Sequence, residues 1–197
     1  MTHIENIPHI LEHGITHASS EKANPNYEPI GDSSIITSRN SKPVEVMRKM
    51  IGDFIPFYFS YRTRMLFVIQ YGLNGVKKVS PDKIVYCVST VQQVIDSGNR
   101  FIFSNGHGSS YLTEFFKSSQ VESIDKIVDF KAVANKNWVD EYDTDLKRRK
   151  EAEFLVLGDL APDFISGFVT YDEFGKNKLI EWGVPQNRVV FREDFYF

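Results

Sequence analysis

The sequence predicts a single α+β domain, and three observations carry that prediction. Runs of β-forming residues recur along the chain, helical patterns lie between them, and the length suits one domain with a substantial core. The chain has 197 residues, 42% of them hydrophobic and 25% charged, inside the globular range and outside the disordered one. The predicted domain spans residues 1–197, with no internal repeat and no low-complexity tract.

The expected strands are Phe54–Tyr61, Ile84–Ser89, Phe101–Ser104, Glu153–Leu157, Phe168–Thr170 and Val189–Phe191. Each is bounded by Gly, Pro, Asn or Asp, the punctuation that ends strands. Aromatic residues make up 14% of the chain and gather in Phe54 to Phe67, Phe101 to Phe116 and the tail Phe195-Tyr196-Phe197. Helices fall between the strands. Pro8 to His13 forms a short one that stops at Gly14. Ser89-Thr90-Val91-Gln92 reads as a capping box, followed by Val91, Val94 and Ile95 on one face and Gly98 as a stop. Thr170-Tyr171-Asp172-Glu173 reads as a second start, leading to Leu179, Ile180 and Trp182. Ser123 to Val133 places Ile124, Ile127, Val128 and Val133 at roughly helical spacing. Ile15 to Ser38 has no sustained period and reads as a long loop, a lid or substrate loop in function.

Several classes of function are set aside by the same reading. Twenty-three basic residues against 26 acidic ones give a net charge of −3, which argues against a strongly basic nucleic-acid coat protein. Cys87 is the one cysteine, so no intramolecular disulfide forms and a reducing compartment, the cytoplasm, is expected. Its apolar setting, Ile84 to Val88, reads as that of a buried small residue. No apolar run approaches the roughly 20 residues that span a bilayer, so no membrane partner is expected. Met1 to Ile10 carries histidines and Glu5 where a secretory signal needs a basic start and an apolar run. His9, His13 and His17 fall four apart, but Gly14 breaks the helix before the third, and no metal is expected. Gly106-His107-Gly108 is only a fragment of a glycine-rich loop, without the dinucleotide fingerprint or the phosphate-binding one. No GxSxG nucleophile elbow occurs.

Two local patterns bear on function and leave alternatives open. Basic residues cluster at Arg39, Lys42, Arg48 and Lys49, at Arg62 and Arg64, at Lys77-Lys78 and at Lys147-Arg148-Arg149-Lys150. Interleaved with Tyr58, Phe59 and Tyr61 they suit a single-stranded nucleic-acid groove, where cations hold phosphates and rings stack bases. Solvated faces around ordinary core aromatics are the simpler explanation of the same pattern. Glu151 and Glu153, two apart, project to the same side of a strand, where a carboxylate can act as a base or steady a nearby cation. They also fit as mere counter-charges to the basic run.

Five segments in order resemble one family, the DarT-like toxins. They are Thr2 to Gly14; Ile35-Ile36-Thr37-Ser38-Arg39 with Lys42-Pro43-Val44; Asp53-Phe54-Ile55-Pro56-Phe57-Tyr58-Phe59 with Met65-Leu66; Phe101-Ile102-Phe103-Ser104-Asn105-Gly106-His107; and Arg149-Lys150-Glu151-Ala152-Glu153-Phe154-Leu155. The last resembles the family's catalytic R-x-x-A-E-x-L. The five run in the family's order from Thr2 to Leu155 and cover most of the chain. The resemblance implies an ADP-ribosyltransferase-like fold with split central β-sheets flanked by helices. It implies transfer of ADP-ribose from NAD, as co-substrate and without a metal, to a base in single-stranded DNA, with thymidine favoured and guanosine next. It also implies a macrodomain antitoxin partner, DarG-like, that removes the modification.

Residue by residue, Glu153 matches the catalytic glutamate and Arg39 an active-site arginine. His3, Asn6, Arg39 and Tyr58 match the cofactor side. His107 matches the substrate side, and the polar stretch from Asn135 to Arg148, with Trp138 and Tyr142, is placed like a substrate-recognition loop. Arg62, Arg64, Lys77, Lys78, Arg148 and Arg149 are the expected DNA-contacting cations. Three departures stand out. Thr2 follows the start directly, so a truncated first strand is expected; Val46 to Ile51 replaces a glycine-rich segment; and Tyr61-Arg62-Thr63-Arg64 is more basic than the usual turn.

The implied chemistry is coherent. Loss of nicotinamide leaves an oxocarbenium-like ribose that a carboxylate such as Glu153 can stabilise. Glu153, alone or with Arg39, is then the expected acceptor of the base's proton or the stabiliser of its anion. An unpaired base is reached without the few kcal/mol of extraction from a duplex. Two other readings compete: the same chemistry on RNA or protein, and a non-catalytic single-strand binding module that would not need Glu153.

Overall fold

The computed structural model describes all 197 residues. In chain order the first elements are β1 (Thr2–His3), α1 (Ile7–His13), α2 (Ser33–Ser41), β2 (Pro43–Val44), β3 (Lys49–Met50), β4 (Phe54–Tyr58), α3 (Arg64–Tyr71), β5 (Ile84–Val88) and α4 (Val91–Asp96). There follow β6 (Phe101–Ser104), β7 (Phe115–Lys117), α5 (Ile124–Ile127), α6 (Phe130–Ala134), α7 (Leu146–Lys150), β8 (Glu153–Leu157), β9 (Gly167–Thr170), α8 (Glu173–Glu181) and β10 (Val189–Phe191). The mixture is α+β, and the strands are divided between two four-stranded sheets and a small hairpin. No helix is long and apolar enough to cross a membrane.

One compact unit comprises Met1–Asp32, Met65–Asn99 and Gly158–Phe197, around a sheet ordered β1-β5-β9-β10. The first three strands are antiparallel neighbours, whereas β9 and β10 are parallel and consecutive. A parallel pair needs a crossover, which α8 supplies. Side chains alternate along a strand, so β5 sends Val85 to one face and Ile84 and Tyr86 to the other. Ile7 and Ile10 of α1 and Leu179 of α8 cover the first face; Leu66 and Ile69 of α3 and Tyr196 cover the second. The aromatic tail is tied down by hydrogen bonds as well: the Tyr196 hydroxyl donates to the carbonyls of Ile84 (2.9 Å) and Val169 (3.2 Å). Gly14 ends α1 at φ 82°, and a Cβ there would fall 2.1 Å from the Leu160 carbonyl oxygen, so only glycine fits.

The other unit comprises Ser33–Arg64 and Arg100–Leu157. Its sheet runs β4-β8-β6-β7, antiparallel throughout, with the hairpin β2-β3 beside it. Strand β8 lies inside the sheet and reads as an unbroken apolar run after Glu153, as a strand buried on both faces must. Phe154 stacks on Phe101 of β6 with ring centroids 4.7 Å apart. Leu155 turns the other way, to Ile102, Phe54 and Ile51. The register sets Tyr58, the last residue of β4, opposite Glu153, the first of β8.

Several local expectations shift. The first aromatic strand stops at Tyr58 rather than Tyr61. The cap of α4 is Thr90, whose hydroxyl accepts from Gln93 N–H, one residue later than the box read from Ser89. The cap of α8 is Asp172, because Thr170 is still in β9. Ser123 to Val133 is two short helices, broken where Asp129 caps the second. The long loop is shorter than expected, since α2 occupies Ser33–Ser41; its Ile35 and Ile36 face solvent and its one buried residue is Arg39, so it shows no amphipathic period. Glu151 is the C-terminal cap of α7, not part of the strand with Glu153.

Candidate active site

Glu153 is 0% exposed, at the entrance of the central strand β8. A buried carboxylate must be paired and hydrogen-bonded. Arg39, the buried residue of α2, does this in fork geometry: Nη1 donates to Oε1 at 3.1 Å and Nη2 to Oε2 at 2.8 Å. Burial works against the Arg39 charge, but Glu153 outweighs it and the guanidinium is held more firmly protonated than usual. The backbone N–H of Gly108 adds a third donor, 2.8 Å from Oε1. A Cβ at Gly108 would sit 2.9 Å from that oxygen, so a side chain there would displace the carboxylate.

The segment from Ser104 to Ser110 is built around this contact. The buried Ser104 hydroxyl accepts from Glu153 N–H (3.0 Å) and donates to Gly106 C=O (2.7 Å), joining strand, loop and carboxylate residue. His107 N–H donates to Arg148 C=O at 2.9 Å, and Thr113 Oγ1 donates to His107 C=O at 2.8 Å. His107 Nδ1 accepts from Ser109 N–H. Lys42 Nζ donates to Ser110 C=O at 2.9 Å. Burial lowers the Lys42 pKa while Glu153 draws it back up. Burial, then Glu153, pushes the Tyr58 phenol up, so it stays protonated. Sequence reasoning missed Ser104 and Gly108 and read Lys42 only as part of a basic cluster; the two glycines flanking His107 were the available signal for a backbone pressed against a side chain.

The remaining candidates divide between the units. In the same unit as Glu153, Arg62 and Arg64 are exposed beyond β4. The run Lys147 to Lys150 is mostly turned inward. Arg148 forms a two-pronged pair with Asp145 (2.7 Å each) and donates to Asn105 Oδ1. Arg149 is held by Asp129, Asp143 and Asp145. Lys150 is buried on the carbonyls of Val133 and Asn135. Arg148 and Arg149, expected at DNA, thus have their guanidinia engaged by carboxylates of their own unit, and Lys147 alone in the run is exposed. These ties fix the base of the Asn135–Arg148 loop, while Tyr142 at its tip is 91% exposed and Trp138 is half-buried.

In the other unit, His3 Nδ1 accepts from Glu5 N–H as a helix cap, and burial lowers its pKa. Asn6 is buried and fully engaged: its amide donates to Thr2 Oγ1 and Glu28 C=O, and accepts from Glu28 N–H and Asn24 Nδ2. It clamps the loop that follows α1. Lys77 and Lys78 are exposed, Lys77 3.7 Å from Glu28. His9 bonds Thr16 and His17 bonds Ser19; no three His, Cys, Asp or Glu side chains converge as a metal site.

Comparison with known proteins gives this geometry a family. A family description reading "DarT: ssDNA thymidine ADP-ribosyltransferase" matches residues 1–197, across both units. A DNA ADP-ribosyl transferase of Escherichia coli O127:H6 is 28% identical over 202 residues, covering 100% of this chain and 91% of the relative. A DNA ADP-ribosyl transferase–DNA ADP-ribosyl glycohydrolase fusion protein of Thermosipho africanus is 29% identical over 87% of this chain and 42% of its own length. Thermus sp. 2.9 DarT in complex with ADP-ribosylated ssDNA superposes with a TM-score of 0.86 at 27% identity, covering 100% of this chain and 93% of that one. The same protein in complex with NAD+ gives 0.79 at 25% identity, covering 100% and 94%. With the family pattern matched from end to end and the fold matched with it, the chain belongs to the DarT family of single-stranded-DNA thymidine ADP-ribosyltransferases.

Proposed function

We propose that this chain transfers ADP-ribose from NAD to thymidine in single-stranded DNA, with Glu153 as the catalytic carboxylate. The observation that carries the assignment is a carboxylate with no exposed surface, held by Arg39 and by the Gly108 N–H, in a chain of this family. A carboxylate offers about four acceptor positions. Three are taken, two on Oε1 and one on Oε2, which leaves one on Oε2 for the 2′-hydroxyl of the nicotinamide ribose. Once nicotinamide departs, the negative charge stands beside the positive ribose, fixed in place and requiring no reorganisation.

His3, Asn6 and Tyr58 are assigned to the NAD side by resemblance, with Asn6 acting through the loop it clamps. His107, Arg62, Arg64, Trp138 and Tyr142 are assigned to DNA, where exposed cations meet phosphate and rings stack on bases. Lys77 and Lys78 are a further basic pair for the strand. The expected partner is a glycohydrolase that removes the modification, as the Thermosipho africanus fusion joins two such activities in one chain. The cytoplasm, reducing and rich in NAD, suits a chain with one unpaired cysteine. Incubation with NAD and oligonucleotides differing in one thymine tests the proposal by mass spectrometry. One ADP-ribose is expected per thymine-containing strand with the unaltered protein and none with Glu153→Ala; modification of strands that lack thymine contradicts the thymidine assignment.

A further inference from the structure

We propose that Tyr111 is the platform on which the base next to the target thymine stacks, so that this residue helps select the sequence around that thymine; the inference rests on the transferase reading above. A strand bound at the Arg39–Glu153 centre presents one base to the ribose, and the neighbouring base loses the stacking partner it had in the strand. A ring face held near the centre replaces that partner.

Tyr111 lies in the loop that joins β6 to β7, and it is 100% exposed. The same loop carries the Gly108 N–H that binds Glu153 Oε1 at 2.8 Å. Three Cα-to-Cα steps lead from Gly108 to Tyr111, so their backbones are at most about 11 Å apart. The loop itself is fixed. Asn105 N–H donates to Glu114 C=O (3.2 Å) and Glu114 N–H donates to Asn105 Oδ1 (3.0 Å), which closes its base. Ser110 N–H donates to His107 C=O (3.0 Å), and Leu112 N–H donates to Ser110 Oγ (3.3 Å), which ties the backbone on both sides of Tyr111.

Lys42 links this loop to the helix that delivers Arg39. It follows the end of α2, its Nζ donates to Ser110 C=O at 2.9 Å, and it stands 5.6 Å from the centroid of the Tyr111 ring. A single exposed tyrosine is ordinary on a protein surface. Here the backbone under the ring is tied down, an ammonium stands beside it, and the same loop binds the catalytic carboxylate. Burial does not explain the ring, because it has none. A ring for a base and a cation for the phosphate that follows it are the two parts of a single-strand site. Tyrosine suits the task, since two side-chain torsions leave little freedom to lose on stacking. Leu112, 73% exposed, extends the apolar surface beside it.

Initial rates of transfer onto short single strands with one thymine test this. The nucleotide before or after that thymine is either a purine or an abasic site. With purine neighbours, Tyr111→Ala is expected to raise the KM for DNA by about 5- to 100-fold with kcat little changed. An abasic site on the side that Tyr111 serves costs the unaltered protein the same factor. It costs Tyr111→Ala nothing further, because both changes remove one contact. Tyr111→Phe, which keeps the ring, retains the low KM. An unchanged KM for Tyr111→Ala overturns the proposal. So does a loss that is the same on purine and abasic strands, the mark of a disturbed loop. If the unaltered protein modifies no strand, the transferase reading itself fails and this proposal with it; transfer indifferent to Tyr111 defeats this proposal alone.

Discussion

Replacing Arg39 with methionine leaves the carboxylate of Glu153, which has no exposed surface, facing an alkyl chain instead of a guanidinium. In the native pair the two contacts are 2.8 and 3.1 Å, and the side chains are 11% and 0% exposed. At 2.8 Å the gross attraction is about 6 kcal/mol for an effective dielectric constant near 20, most of it offset by the desolvation of both charges. Breaking such a pair from one side costs about 3–5 kcal/mol, because the surviving charge keeps its desolvation penalty and loses its partner. Against a total stability of about 5–15 kcal/mol that is a large fraction. Replacing both partners is different: Arg39→Met with Glu153→Met removes both charges and is expected to recover most of the loss. Urea unfolding followed by tryptophan fluorescence measures this. Trp138 lies in the unit that holds the pair and Trp182 in the other, so a Trp182→Phe background reports the affected unit alone. A single variant that loses under about 1 kcal/mol, or a double variant whose losses add, would refute the reasoning that Glu153 is a desolvated charge held by Arg39.

Gly108→Ala places a methyl group 2.9 Å from Glu153 Oε1 and forces the carboxylate aside. A displacement of this order at a reacting group is expected to cost about 10- to 100-fold in transfer rate with the fold retained by circular dichroism; an unchanged rate would show that the Gly108 contact does not set the geometry. For Glu151 the sign of the pH dependence can be worked out directly. Its folded pKa is raised by burial, so its contribution to stability is fully present below the unfolded carboxylate range and is lost as pH rises through the folded value. Glu151→Gln is therefore expected to melt higher than the unaltered protein at pH 8, with the difference vanishing on acidification; a variant that melts lower at every pH contradicts a Glu151 whose charge is penalised by burial.

The strands were legible because their residues are those that a pleated, buried surface selects. Phe101-Ile102-Phe103 and Phe154-Leu155-Val156 declare themselves without help from distant residues. Helix α2 did not, because its apolar residues face solvent and its function is to deliver one arginine inward. Arg39 and Glu153 are 114 positions apart, and no period or spacing connects them; only the family resemblance brought them together. The partners of the basic run were hidden for a related reason. Lys147 to Lys150 looks like a phosphate-binding surface in sequence, but Asp129 and Asp143, remote or separated from it by a turn, hold Arg149, and carbonyls hold Lys150. The Ser104 relay was invisible because a serine at the end of an apolar strand has many possible partners, and its two partners are chosen by the fold.

The central claim is that the Arg39–Glu153 centre moves ADP-ribose onto an unpaired thymine. The most direct test counts products on one thymine-containing oligonucleotide presented first as a single strand and then annealed to its complement, with NAD and either the unaltered protein or Glu153→Gln. The account predicts a mass gain of one ADP-ribose, matched mole for mole by released nicotinamide, on the single strand with the unaltered protein. It predicts little gain on the duplex and none with the variant. Equal modification of both strand forms, or modification that persists in Glu153→Gln, would contradict it.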